Sequence, residues 1–329
     1  MENLRKVVDE FEHKTILVLG DVILDKFSWG KVKGINPEQP TATNLDIDAN
    51  KDTYALGGAS NVANNISSLN ANCKLYGAIG KDEEGEKLKK LCEEKNIEFK
   101  GFEKRKKTNT KWRTMAHGQQ TQRMNFGEGE PKISQEIQAE LLKELENEIK
   151  NFDFVILSDY NKGFFDETLS QKIINLTNFY KIPTHIDLKP ENISYFKNCT
   201  IISPNEIEAE KITGIKYFNN SEALLRMAKA LIEIVNPKYI VITCGEDGVF
   251  AYDVEKEKYL MVKTNAKEVY DVAGAGDTFA AVFSLGMASG LGLFDSVKIA
   301  NYASGIVVEK IGVETVNTEE MKKRIEENG

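Results

Sequence analysis

The chain has 329 residues, 41% hydrophobic and 29% charged, with 51 acidic against 43 basic side chains and a formal net charge of −8. The acid excess argues against nucleic acid or an anionic membrane as the main partner, and the length suits one large α/β domain with at most a small appendage. Four scattered cysteines without a C-x-x-C pair, and three isolated histidines, argue against a disulfide framework or a structural zinc site.

The first residues, Met-Glu-Asn-Leu-Arg-Lys, lack the apolar run of a signal peptide, and no window approaches roughly 18 uninterrupted apolar residues, so a cytoplasmic protein without a membrane span is expected. An apolar run at 15–19 stops at Gly20-Asp21, and similar runs follow at 73–79, 152–157, 184–186, 200–202 and 239–243. Continuous apolar runs of this kind predict strands buried on both faces. Helical patterns alternate with them. Residues 83–95 carry Glu83/Lys87 and Glu86/Lys90 in the favourable order, and 134–150 place Ile137, Leu141, Leu145 and Ile149 on one stripe. Residues 221–234 and 295–311 also read as helices, the latter with Gly312 as its stop. The alternation predicts an α/β fold: a doubly wound, mainly parallel sheet with helices on both faces.

Two stretches break the pattern. Residues 41–50 alternate polar with apolar, and 109–126 hold Trp112, Met115, Arg123 and Phe126 among polar residues. Both predict half-exposed antiparallel strands in a small separate β-sheet, a lid over a site from which water is excluded. The lid strands are placed at about 36–50 and 107–126 within a single domain over 1–329. A hairpin is expected at 249–252 and 259–262. There is no internal repeat, low-complexity tract or linker.

The stretch Asp271-Val-Ala-Gly-Ala-Gly-Asp277-Thr lies between a β-like segment and an apolar run at 279–291. Gly274, Ala275 and Gly276 leave backbone N–H groups bare where a helix begins, and such a start attracts anions. Asp277 in the same turn would repel a phosphate. It has a use if it takes the proton from an attacking hydroxyl while the amides stabilise a transferring phosphoryl group. The plainer alternative is a glycine turn opening a packed helix, with Asp277 as a solvated first-turn acid.

Other polar motifs gather at predicted strand ends. Gly57-Gly58-Ala-Ser-Asn61 opens a further helix, with Asn61 able to donate to and accept from a sugar hydroxyl. Asp21 and Asp25 follow the first strand, either as ligands for a polyol or as turn acids. Ser158–Gly163, Asp187–Lys189, Asn205–Glu208 and Thr243–Gly248 end later strands, offering acids for a hydrated magnesium ion, lysines for phosphates and a glycine turn for a nucleotide. His117 and His185 read as structural, and Trp112 as lid packing. No G-x-x-x-x-G-K-[ST] occurs and no G-x-G-x-x-G follows the first strand, which argues against P-loop and dinucleotide readings.

These motifs, in this order, resemble the ribokinase-like, or PfkB, family of carbohydrate kinases, from Gly20 to about Thr315. The segment from Gly57-Gly58 to Asn64 is similar to the family's N-terminal motif. Asp271 through Asp277 is similar to its C-terminal one, with Val272 where threonine is common. The resemblance implies ATP and magnesium as cofactors, with Asp277 as catalytic base and Gly274, Ala275 and Gly276 as the anion hole. It implies that Asn205 and Glu208 place magnesium and phosphates. Lys189, Thr243, Gly245 and Gly248 would then lie along ATP, together with Asn205, and Asn301 near the adenine. Within the family, four segments are similar to the D-glycero-β-D-manno-heptose-7-phosphate kinases, often the first half of a bifunctional ADP-heptose synthase: Gly20 to Asp25, Asn36 to Pro40, Ser158 to Gly163 and Glu268 to Asp271. That implies phosphorylation of an anomeric hydroxyl for lipopolysaccharide core assembly.

The chain departs from that branch at Asn36-Pro-Glu-Gln-Pro-Thr-Ala42 and at Asp187-Leu-Lys189. Asp21, Asp25, Gly57, Gly58 and Asn61 are expected on the sugar, and Lys162 and Arg123 are candidates to meet its existing phosphate. A homodimer through the lid is expected, with no nucleic-acid or membrane partner, and any adenylyltransferase step belongs to another protein. Other kinases of the family, for a nucleoside, hexose phosphate or ketogluconate, stay open, as do a non-catalytic sugar-binding regulator and a dehydrogenase.

Overall fold

The computed structural model describes residues 2–35, 43–117, 119–129 and 132–328. In chain order its strands are β1 (Thr15–Gly20), β2 (Val22–Ile35), β3 (Thr43–Ile47), β4 (Thr53–Gly58), β5 (Asn72–Gly80), β6 (Glu98–Arg105), β7 (Thr110–Ala116), β8 (Gln119–Phe126), β9 (Phe154–Ser158), β10 (Thr184–Asp187), β11 (Ile201–Ile202), β12 (Tyr239–Thr243), β13 (Val249–Asp253) and β14 (Lys258–Val262). Its α-helices are α1 (Glu2–Asp9), α2 (Ala59–Ser68), α3 (Glu83–Glu94), α4 (Gln135–Glu148), α5 (Glu167–Phe179), α6 (Glu206–Thr213), α7 (Ser221–Val235), α8 (Ala275–Ala288), α9 (Leu293–Val308) and α10 (Thr318–Glu327).

Nine strands form the main sheet, in the order β14-β13-β12-β11-β10-β9-β1-β5-β6. Pairings from β12 to β6 are parallel, and the β12-β13-β14 edge is antiparallel. The apolar runs predicted six of the seven strands in the parallel part, five within one or two residues and β12 to the residue; β6 was missed. The reason is visible in the packing. Alternate side chains of β1 enter opposite cores: Ile16 and Val18 pack with α2, α8 and α9, while Leu17 and Leu19 pack with α4, α5 and α7. A strand covered on both faces has no polar alternation to show. Helix starts carry their own caps, with Asp82, Asp166, Asn205, Asn220 and Asn317 each accepting from a first-turn amide.

The small sheet has five strands, β3-β2-β7-β8 with β4 also on β2. It is larger than expected. The chain leaves the main sheet at Gly20-Asp21 and continues straight into β2, a strand of 14 residues. Asp25 is therefore not a turn acid: it sits inside β2, opposite Ala55 of β4 and Lys111 of β7. The stretch at 109–126 is two strands, reversing where His117 adopts φ of 52°. Strands β2, β4 and β6 had no counterpart among the predicted elements. The 295–311 helix ends at Val308, short of Gly312. The segment Asn36–Ala42, where the chain departs from the heptose-phosphate branch, lies outside the described residues. Among the described residues no helix is long and apolar enough to cross a membrane.

Candidate active site

Helix α8 is almost wholly buried, so its first turn is fixed from behind. Its cap residue, Gly274, has φ of 81°, a left-handed conformation that suits glycine, and a Cβ there would come within 3.0 Å of Asn61 Nδ2. Asp271 shapes the approach by accepting from the Ala273 amide at 2.9 Å and the Gly312 amide at 3.3 Å. The Thr278 amide makes the first helical bond, to Gly274 O at 2.9 Å, and the Ala275 amide turns back to Val272 O at 3.3 Å. The amides of Gly276 and Asp277 are then the orphan donors of the helix start, at the positive end of its dipole.

Asp277 is 7% exposed and points into the protein. Its Oδ1 accepts from the Tyr160 hydroxyl and its Oδ2 from Asn61 Nδ2, each at 2.6 Å. Burial raises its pKa above the usual carboxylate value, opposed by those two bonds and by Lys111. The carboxylate lies in a cavity of about 200 Å³ that also holds Lys189, Asn205, Glu208, Thr243, Gly274 and Gly276 from the sequence-predicted set. Tyr160, Asp187, Ser203 and Phe279 complete its lining. A larger polar cavity of about 500 Å³ lies at the opposite, amino-terminal strand ends beside Thr15, Asn72 and Glu98. It is remote from this chemistry, and ligands of open parallel sheets bind at carboxyl ends.

On one side of Asp277 the donors suit a nucleotide. Lys189 Nζ pairs with Glu208 Oε1. Glu208 Oε2 accepts from the Asn205 amide at 3.0 Å while Asn205 Oδ1 accepts from the Glu208 amide at 2.9 Å, a reciprocal capping box on α6. The Asn205/Glu208 spacing thus has a structural job in addition to the one expected of it. Burial lowers the Lys189 pKa and the Glu208 bond raises it, and the bond prevails. Asp187 is pushed up to about 8 by burial and by Asp277. Gly245 and Gly248 form the turn after β12 with φ of 51° and 102°, and Asn301 Nδ2 donates to Lys263 O at 2.7 Å. These three do not line the cavity itself.

Among the described residues no cluster of three or more His, Cys, Asp or Glu side chains is placed to cage a metal. The oxygen donors that are present, Glu208 foremost, fit a magnesium ion that keeps most of its waters and arrives with nucleotide phosphates.

The other side is built by the small sheet and α2. Asp25, 4% exposed, accepts from Arg113 Nη1. A Cβ on Gly57 would lie 2.4 Å from Asp25 Oδ2, so the glycine is what lets the carboxylate sit there. Gly58 caps α2 with φ of 57°. Asn61 is held in turn: Asn65 Nδ2 donates to its carbonyl at 2.9 Å and Thr278 Oγ1 donates to Asn65 Oδ1 at 2.8 Å, tying α2 to α8.

Asp21 has a role the sequence did not signal. Its carboxylate accepts from the amides of Tyr160, Lys162 and Phe164 at 3.0, 2.9 and 3.1 Å, and it is 1% exposed. It fixes the loop that carries Tyr160. Lys162 Nζ pairs with Glu128 at 2.5 Å, and Arg123 is exposed on β8 opposite Arg113. Lys111, two residues before Arg113 on β7, carries the positive charge that favours the ionised base, and burial lowers its own pKa. Neither Lys111 nor Tyr160 was among the predicted site residues. Alternation along β7 was the available signal for Lys111, because it puts Lys111 and Arg113 on one face. His185 is structural: its ring nitrogens meet Ser284 Oγ at 3.0 Å and Ser203 Oγ at 2.6 Å, and burial pushes its pKa down to about 3.

The chain is similar to known proteins in sequence and in fold. The bifunctional protein HldE of Campylobacter concisus is 38% identical over 310 residues, 94% of this chain and 64% of that protein. The bifunctional protein HldE of Syntrophotalea carbinolica is 33% identical over 321 residues, 97% of this chain and 64% of that protein. The chain therefore spans about 64% of the length of these curated relatives. Among solved structures, Escherichia coli phosphofructokinase-2 in complex with substrates and products has the same fold, with a TM-score of 0.76 at 18% identity, covering 95% of this chain and 99% of that one. Arabidopsis thaliana ribokinase complexed with ribose and ATP gives 0.73 at 17% identity, covering 95% and 98%. The family model described as pfkB family carbohydrate kinase matches residues 16–320, and with that match the chain belongs to the pfkB carbohydrate kinases, phosphotransferases with an alcohol group as acceptor.

Proposed function

We propose that this kinase transfers the γ-phosphoryl group of ATP to the anomeric hydroxyl of D-glycero-β-D-manno-heptose 7-phosphate, giving the 1,7-bisphosphate. The observation that carries the kinase chemistry is the buried Asp277 carboxylate in the first turn of α8, between orphan amides and two sets of polar side chains. The heptose assignment rests on the motifs at Gly20–Asp25, Ser158–Gly163 and 268–271, and is supported by relatives that are HldE proteins.

Asp277 accepts the proton of the acceptor hydroxyl as that oxygen bonds to the γ-phosphorus and the bond to the ADP oxygen breaks. The amides of Gly276 and Asp277 stabilise charge on the transferring group, and Lys189 meets the nucleotide phosphates. Magnesium, when bound, neutralises phosphate charge, and Asn205 and Glu208 would hold its water shell. Asp25, Gly57, Gly58 and Asn61 border the sugar, with Asp21 acting by fixing the 160–164 loop. Arg123 and Lys162, with Arg113 beside them, supply positive charge for the sugar's own phosphate. The small sheet excludes water and supplies the surface for a homodimer, since Trp29, Ile47 and Phe126 on it are 38%, 41% and 44% exposed. Sedimentation velocity checks this by returning twice the chain mass.

The test is phosphorus NMR of products after incubation with ATP, magnesium and, separately, the heptose 7-phosphate, sedoheptulose 7-phosphate, fructose 6-phosphate, ketogluconate and a nucleoside. A new anomeric phosphate resonance with the heptose phosphate is expected. Turnover only on another member of the panel replaces the substrate and keeps the family chemistry. Absence of ADP release with every acceptor contradicts the proposal.

A further inference from the structure

We propose that Tyr160 is the positioning residue of the base: its hydroxyl clamps Oδ1 of Asp277 while its ring lies against a lysine of the small sheet and a lysine of the nucleotide side. This rests on Asp277 being the base.

Tyr160 sits on the loop after β9, which is held at several points. Besides the three amides bound by Asp21, Asp159 accepts from the Asn161 amide and from Asn192 Nδ2, each at 2.8 Å. A side chain on so fixed a loop delivers its hydroxyl to one place. That place is the carboxylate, at 2.6 Å, with Asn61 on the other oxygen at the same distance. One donor on each oxygen fixes the plane of the carboxylate, so the remaining lone pairs face a set direction, as proton transfer requires.

The charges around Asp277 come from several elements. Lys111 of β7 favours its ionised form, whereas Asp25 of β2, Asp187 at the end of β10 and burial itself disfavour it. The Tyr160 hydroxyl adds a donor on the favourable side. It remains a donor at all working pH values, because burial and the neighbouring Asp277 and Asp187 hold its own proton tightly. The ring has its own contacts. Lys111 Nζ lies 5.3 Å and Lys189 Nζ 5.4 Å from its centroid, both within cation–π range, so the ring holds contacts with a cation from each side of the site.

Tyr160→Phe removes the hydroxyl and keeps the ring. Without the donor the ionised carboxylate is less favoured, so the acid limb of the kcat profile moves to higher pH, by about one unit for a bond to a charged group. On that limb the variant is about tenfold slower than the parent, the gap closes as pH rises, and KM for ATP stays within about twofold. Acid limbs that superimpose overturn the proposal, whatever the absolute rates. Replacing Tyr160 with fluorinated tyrosines gives a second reading that preserves the fold: a more acidic phenol donates more strongly and moves the limb to lower pH, whereas an unmoved limb again overturns it. If Asp277→Asn keeps a parent-like kcat, the failure is of the base assignment itself. If that variant is inactive and the Tyr160 limbs superimpose, only the role of Tyr160 fails.

Discussion

The carboxyl edge of the main sheet and the small sheet facing it contribute to one site by different means. The main-sheet edge works through backbone: bare amides at the start of α8, a capping box on α6, and a loop whose amides converge on Asp21. The small sheet works through long side chains on β7 and β2, where Lys111, Arg113 and Asp25 bring charge to a half-covered surface. Backbone groups are placed by the fold and barely move, so they suit a phosphoryl group whose geometry is the same for every substrate in the family. Side chains on a strand change without changing the fold, so they suit the part of the substrate that differs. Changes at the main-sheet edge are therefore expected to cost stability and to act on kcat or on ATP, and changes on the small sheet to act on the acceptor.

The largest stability effect is expected from Asp21→Ala. It strands three loop amides and leaves Arg105, whose guanidinium lies 3.7 Å from that carboxylate, without this partner in the interior. A loss of about 3 kcal/mol or more in urea unfolding is expected, with kcat falling as Tyr160 loses its support. A loss under about 1 kcal/mol breaks the assignment of Asp21 to the loop.

Asp187 gives a pH test on the same edge. Its folded-state pKa of about 8 lies above the unfolded value, so the native state holds a proton that the unfolded state has released between pH 3.8 and about 8. Its contribution is fully present below pH 3.8 and is lost as pH rises through that window. Asp187→Asn should flatten this fall, and parallel stability curves for parent and variant would remove Asp187 from it.

On the small sheet, Lys111→Met should lower kcat/KM for the acceptor by about tenfold, the worth of one charged hydrogen bond, with KM for ATP unchanged. A change confined to ATP would exchange the two sides of the site. The smallest effect is expected from Asn205→Ala, which removes a helix cap worth about 1 kcal/mol and raises KM for ATP but not for sugar, as initial rates at varied ATP would show.

The same contrast explains what could be read from residues alone. Main-sheet strands such as β12 are continuous apolar runs because both faces are covered, and the α8 start is visible in Gly-Ala-Gly-Asp. Strand β2 was hidden because Gly20-Asp21 reads as a turn and Asp25 and Lys26 interrupt its apolar pattern. Its identity comes from pairing with β4 and β7, contacts distant in sequence. Asn205 and Glu208 were legible by spacing, although Asn-x-x-Glu is also a capping box. Tyr160 carried no local signal at all. Its role comes from Asp21, which lies 139 residues away.

The most direct test of the central claim is single-turnover and steady-state kinetics of Asp277→Asn alongside calorimetric binding of ATP and acceptor. Binding within a few-fold of the parent is expected, with kcat lower by about 10² to 10⁴, the usual worth of a general base. Near-parental kcat in a variant that binds both substrates would show that the proton of the acceptor hydroxyl goes elsewhere.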